Sequence, residues 1–196
     1  REGYGFAFSA EETLSLITPR TRLIILNSPA NPTGGVTPKD QVDKLVKGLA
    51  RFPKAAIMSD EIYDHMVYDG EKHVCLLAYP SIRDRLILLN GWSKTYAMTG
   101  WRIGWLVAPL PLVRPIERLQ GNLAISVPTL SQIAAQAAFD SRAELETIKH
   151  GYEDNRRILI EGLPKLAADP AVRVAVCVAE APCGAAADAR IKGEIV

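Results

Sequence analysis

Three short runs of this chain concentrate side chains that could do covalent chemistry. In Asn90-Gly91-Trp92-Ser93-Lys94-Thr95-Tyr96-Ala97-Met98-Thr99-Gly100-Trp101-Arg102-Ile103-Gly104, an amine and a guanidinium follow the apolar stretch from Arg85 to Leu89. At the end of a buried strand, neighbours and partial desolvation lower an amine's pKa, so that it can attack an aldehyde and then shuttle protons. Arg102 offers a planar fork that matches a phosphate. A lone Ser-Lys pair would read as an ordinary strand-turn-strand connection, but two upstream runs argue otherwise. Leu26-Asn27-Ser28-Pro29-Ala30-Asn31-Pro32-Thr33-Gly34-Gly35 follows the apolar run Leu23 to Leu26. Its prolines and glycines cannot continue a strand, so the chain turns at the strand's carboxyl end. That edge is where open α/β sheets bind ligands. Asn31 precedes a proline, which biases it to an extended backbone with its amide free to donate. In Ala55-Ala-Ile-Met-Ser-Asp60-Glu61-Ile62-Tyr63 another apolar strand ends in acids and a tyrosine. A carboxylate there would keep the ring nitrogen of a bound heteroaromatic protonated, because opposite charge favours the charged form. Taken alone, the same residues read as a helix-capping Asp with Glu in the first turn.

In this order and spacing the three runs resemble the large domain of fold-type I, class I/II aminotransferases, which use pyridoxal 5′-phosphate. The resemblance implies that Lys94 binds the cofactor's aldehyde. It implies that Asp60 pairs with the pyridine nitrogen, keeping the ring an electron sink, and that Asn31 and Tyr63 hydrogen-bond the phenolic oxygen. Arg102 is implied as the phosphate ligand, with Ser93 as a helper. Many family members carry a serine three positions before the lysine, where this chain has Gly91. The implied reaction moves an amino group from an amino acid to a 2-oxo acid with ping-pong kinetics. In it Lys94, displaced by the substrate amine, serves as general base and acid. The implied partners are those two substrates and, for the complete protein, a second copy in a homodimer. The wording from Lys94 to Gly104 resembles the broad bacterial branch of aspartate, aromatic and other aminotransferases. Carbon-sulfur lyases, aminocyclopropane-carboxylate synthases and aminotransferase-like transcription regulators are the alternatives that the same resemblance leaves open.

The elements that would hold these runs alternate strand and helix. A short helix from Glu11 to Ile17 has Ser9 as N-cap and acids in its first turn. Thr37 and Pro38 are expected as N-cap and first residue of a second helix, with Val42, Leu45, Val46 and Leu49 on its packed face. Strands are expected at Leu23 to Leu26, Ala55 to Ser59, Arg85 to Leu89 and Arg102 to Val107. The βαβ order predicts an α/β fold with a mainly parallel sheet and flanking helices. The turn after Lys94 is too short for a parallel crossover, so Arg102 to Val107 is the expected antiparallel strand. Helices follow at Leu112 to Leu119, at Pro128 to Phe139 with a packed stripe of Leu130, Ile133, Ala134, Ala137 and Ala138, and at Glu144 to Leu159 with a solvated charged face. Gly121 to Ser126 resembles a family segment that approaches the neighbouring subunit's active site, and reads equally as a plain interhelical loop.

Length and composition permit one ordinary domain: 196 residues, 48% of them hydrophobic. Family members are about twice as long, with a second, smaller domain built from both chain ends. The resemblance covers residues 1–165, a partial cofactor-binding large domain, and the chain is expected to be a fragment. Residues 166–196 form an anomalous tail without aromatic residues, expected from a frameshift or a truncated small domain, with Val172 to Val178 as a candidate strand. A net charge of +1 with interspersed signs gives no nucleic-acid or polybasic membrane signature. No apolar run is long enough for a bilayer and no secretory signal is visible, so a cytoplasmic home is the expectation. Cys75, Cys177 and Cys183 lack metal-like spacing, and their odd number argues against a disulfide framework. His65, His73 and His150 are expected as surface or packing residues.

Overall fold

The computed structural model describes residues 6–167. Four strands form one sheet in the order β1 (Leu23–Asn27), β2 (Ala56–Asp60), β3 (Leu86–Gly91), β4 (Gly104–Val107). The first three are parallel and β4 runs antiparallel to β3, as the short turn after Lys94 requires. Asn27 pairs with Asp60, and Asp60 with Leu89. The carboxyl ends of all three parallel strands therefore stand level, and the three chemistry-bearing runs leave the sheet at one edge.

One face of the sheet is closed. Ile24 and Leu26 of β1, Ile57 and Ser59 of β2, and Leu86 and Leu88 of β3 point into it and are buried. Over them lies α2 (Lys39–Leu49), which buries Val42, Leu45, Val46 and Leu49, the stripe that its spacing predicts. The short α1 (Ala10–Ser15) packs beside α2, with the Ser9 hydroxyl accepting from the Glu12 N–H. Arg85, at the end of the 3₁₀ segment Pro80–Arg85, reaches the carbonyls of Leu49, Phe52 and Ala55. The Leu49 and Phe52 carbonyls already accept from the Phe52 and Ala55 N–H groups, so Arg85 adds a second, charged donor that ties the end of α2 to the start of β3. The opposite face is less covered among the described residues: Leu23 is 42%, Ile25 66% and Leu106 41% exposed, while β4 is exposed on both of its faces.

Three expectations need correction. The N-cap of α2 is Pro38, one residue later than expected. The Thr37 N–H is held by the Ser28 hydroxyl (3.0 Å), and Thr37 itself is buried, so it is tied to the preceding turn and unable to cap. The fourth strand starts at Gly104 instead of Arg102, because Arg102 adopts a left-handed conformation (φ 52°) that ends the 3₁₀ turn Thr99–Trp101. In α4 (Thr129–Ala138) the buried residues are Ser131 and Ala135, whereas Leu130 is 74% and Ile133 60% exposed. Trp92 sets that orientation by donating its indole N–H to the Ala135 carbonyl (3.0 Å) and packing edge-on against Phe139. The third helix, α3 (Leu110–Leu123), extends beyond its expected ends and takes in Gly121 to Leu123 of the candidate interface segment. The long α5 (Arg142–Ala167) carries surface pairs such as Arg157–Asp154 and His150–Glu153. The candidate strand at Val172 to Val178 lies outside the described residues.

Candidate active site

Tyr63 is where the three runs meet. The Asn31 amide donates to its hydroxyl (3.2 Å) across 32 residues of sequence, and Lys94 Nζ lies 5.9 Å from the centre of its ring. Each group reaches Tyr63 from the end of a different strand. Lys94 is half-buried and follows β3 by a tight turn closed by Tyr96 N–H and Met98 N–H donating to the Trp92 carbonyl and Ala97 N–H to that of Lys94.

Asp60 ends β2, and the residues after it form turns without a helix. The helix-cap reading of Asp60-Glu61 therefore does not hold. The Asp60 carboxylate instead accepts from the Ile62 N–H (3.3 Å), the local Asx geometry that lets the chain leave the strand sharply. Asn27 ties this strand end to the proline turn. Its amide donates to the Asp60 carbonyl (3.1 Å) and its side-chain oxygen accepts from the Asn31 N–H (2.8 Å). The Ser28–Pro29 and Asn31–Pro32 peptide bonds are cis.

Arg102 is exposed and one of its guanidinium N–H groups donates to the Thr99 carbonyl (3.0 Å), leaving the remaining donors for an anion. The Ser93 carbonyl accepts from the Thr99 hydroxyl (2.8 Å), so Ser93 and Arg102 are joined through Thr99. At Gly91, an added Cβ would stand 2.8 Å from the Gly104 Cα and 3.1 Å from the Ile103 oxygen. The close approach of β3 and β4 leaves no room there for the serine that many family members carry.

Two acids beside the site were not assigned a role from sequence. Glu61, 2% exposed, accepts from the Ser59 hydroxyl (2.9 Å) and the Leu76 N–H (3.0 Å) and pairs with His73 Nε2 (2.7 Å). Burial pushes its pKa up, but the bonds from His73 and Leu76 outweigh it and hold the carboxyl below its usual range. His73 thus packs, part-buried, against Glu61, within the expectation of a surface or packing residue. The same surroundings, burial first, push the nearby Cys75 thiol up to about 11, which makes it an unreactive cysteine. Asp64, one residue after Tyr63, accepts from the Asn90 amide (2.9 Å) and the Thr95 hydroxyl (3.4 Å). Only the strand pattern around these acids hints at them, since a turn's partners across the sheet have no sequence periodicity. A cleft of about 400 Å³ opens beside Asn31 and Tyr63, with Tyr68, Arg156 and Leu159 on its other side.

An amine, a carboxylate, an amide-supported phenol and an exposed guanidinium at one strand edge suit a cofactor with an aldehyde, a basic ring nitrogen, an oxyanion and a phosphate. The class so defined is that of α/β folds that gather polar side chains at the carboxyl ends of a mainly parallel sheet. The family model for aminotransferase class I and II matches residues 4–182, and the chain belongs to that family. It is 36% identical over 165 residues to an aspartate aminotransferase of Sulfurisphaera tokodaii, covering 84% of this chain and 41% of that protein. It is 40% identical over 164 residues to the arginine–pyruvate transaminase AruH of Pseudomonas aeruginosa, covering 83% and 41%. The crystal structure of an aromatic aminotransferase from Pyrococcus horikoshii superposes with a TM-score of 0.79 at 31% identity, over 85% of this chain and 45% of that one. The chain thus matches less than half the length of these relatives.

Proposed function

We propose that this chain carries the cofactor side of a pyridoxal-phosphate-dependent aminotransferase, which passes an amino group from an amino acid to a 2-oxo acid. The observation that carries the reading is the meeting of Asn31 and Lys94 at Tyr63. The donor set fits the cofactor group by group. When bound, pyridoxal phosphate supplies an electrophilic carbon and a ring that withdraws electrons from the substrate Cα. The residues of the chain do the rest. Asn31 donates to the Tyr63 oxygen, which leaves the phenol's own proton to donate outward to a ring oxygen. Asp60, at the strand end, favours a protonated ring nitrogen through opposite charge. Lys94, on its turn beside Tyr63, is the group that takes and returns the substrate Cα proton. Arg102 and Ser93, joined through Thr99, hold the phosphate, Arg102 by its charged fork.

The substrates are an amino acid and a 2-oxo acid. The relatives' names span aspartate, aromatic amino acids, and arginine with pyruvate, so the side-chain preference belongs to the donor panel in the test. The complete protein is proposed to act as a homodimer in the cytoplasm. The apolar exposure of Leu110, Leu123 and Ile125 on and after α3 supports a covered surface there. Among the described residues no helix is long and apolar enough to cross a membrane. Residues 166–196 are proposed as a divergent or frameshifted start of a small domain. The chain of 196 residues is itself expected to bind cofactor weakly and to transaminate poorly.

The test is 2-oxo acid formation by the full-length protein with a panel of amino donors, for wild type and Lys94→Ala. Loss of turnover in the variant, with cofactor affinity partly retained through Arg102 and Asp60, is expected. Near-normal turnover by Lys94→Ala contradicts the assignment.

A further inference from the structure

The reactive lysine sits on a turn, and a turn must be held by something outside it. Asp64 is the side chain that does so from the neighbouring strand end. Its Oδ2 accepts from the Asn90 amide at 2.9 Å, on the last turn-facing residues of β3. Its Oδ1 accepts from the Thr95 hydroxyl at 3.4 Å, one residue past Lys94. The backbone N–H of His65 donates to Oδ1 as well (2.9 Å), while the exposed His65 ring lies 3.8 Å from Oδ2. Asn90 is in turn fixed by accepting from the Gly91 N–H (2.7 Å). Thr95 is buried, so its hydroxyl needs this partner. One carboxylate thereby clamps the residue before the lysine turn and the residue after the lysine to the turn that carries Tyr63.

We propose that Asp64 is a positioning residue for Lys94: through Asn90 and Thr95 it sets the lysine turn against Tyr63. The inference rests on the reading of Lys94 as the cofactor lysine. Asp64 does not touch the reacting atoms. It acts because small displacements of a reacting group cost large factors in rate. Its two oxygens accept one from each segment, so a single side chain serves both at once.

The experiment compares wild type with Asp64→Ala, Asp64→Asn and Thr95→Val in the full chain, by two readouts. The first is hydrogen exchange of the turn amides Tyr96, Ala97 and Met98, with the β1 and β2 amides as internal reference. The second is the rate at which pyridoxal phosphate becomes fixed to Lys94 on borohydride reduction, read by peptide mapping. Asp64→Ala is expected to speed exchange of the turn amides about fivefold to tenfold with the reference amides unchanged, and to slow Lys94 fixation about tenfold. Asp64→Asn, which keeps one acceptor, falls between, and Thr95→Val reproduces part of the effect from the other side without touching Asp64. Unchanged turn exchange in both Asp64→Ala and Thr95→Val overturns the proposal. Faster exchange with Lys94 fixation at the wild-type rate also overturns it, since Asp64 would then be structural only. Failure of wild type to be modified at Lys94 overturns the cofactor reading instead, and the exchange comparison still decides whether Asp64 sets the turn.

Discussion

Glu61 and Asp60 are sequence neighbours that face opposite sides of β2, and the sheet's alternation gives them different work. Asp60 ends β2 and accepts from the Ile62 N–H, while Glu61 carries a charge into the core beneath α2 and meets it with three partners. Removing one partner of a buried pair strands the other. Glu61→Ala is expected to cost about 3–5 kcal/mol at pH 7 by chemical denaturation, with His73→Ala losing a smaller part. Because the Glu61 carboxyl is held below its ordinary value of 4.5, its contribution is complete above that pH and fades as pH falls below it. The wild type should therefore lose stability below about pH 4.5 more steeply than Glu61→Ala, and parallel acid limbs would contradict the pairing. The strand-end placement of Lys94, Asp60, Tyr63 and Asn31 was legible in sequence because each ends or follows an apolar strand in a run of turn formers. Asn27, Asp64 and the Glu61–His73 pair were not, because their partners lie across strand ends where no spacing rule connects them.

The strand ends explain why Gly91 stands where a serine could be expected. Gly91 pairs with Gly104 across β3 and β4, and the two backbones close to a distance that excludes a Cβ. Gly91→Ala is expected to part these strands at the root of the lysine turn and to destabilise by about 1–3 kcal/mol, measured as a shifted denaturation midpoint. A neutral substitution would show that the approach relaxes freely. The antiparallel β4 and the packed face of α2 followed from connection length and apolar period, two signals that tertiary structure rarely overrides. The start of α2 and the buried face of α4 did not follow. In the first case Ser28 engages the Thr37 N–H from a preceding turn. In the second Trp92 turns the helix to present Ser131 and Ala135, leaving the more apolar stripe outward.

At the scale of the molecule, one sheet face is a closed core over β1 to β3, and the other carries exposed Leu23, Ile25 and Leu106. The chain spans 33–41% of the length of curated relatives such as the aspartate aminotransferases of Pinus pinaster and Sulfurisphaera tokodaii. What this chain contributes on its own is a strand-end constellation, with one amine placed beside one supported phenol. The most direct measurement is therefore borohydride reduction of the full-length protein with pyridoxal phosphate, followed by peptide mapping. The cofactor is expected to be fixed to Lys94 in preference to the other lysines, and that preference to be lost on unfolding in denaturant. Modification spread evenly over surface lysines, or concentrated at a lysine away from Tyr63, would contradict it.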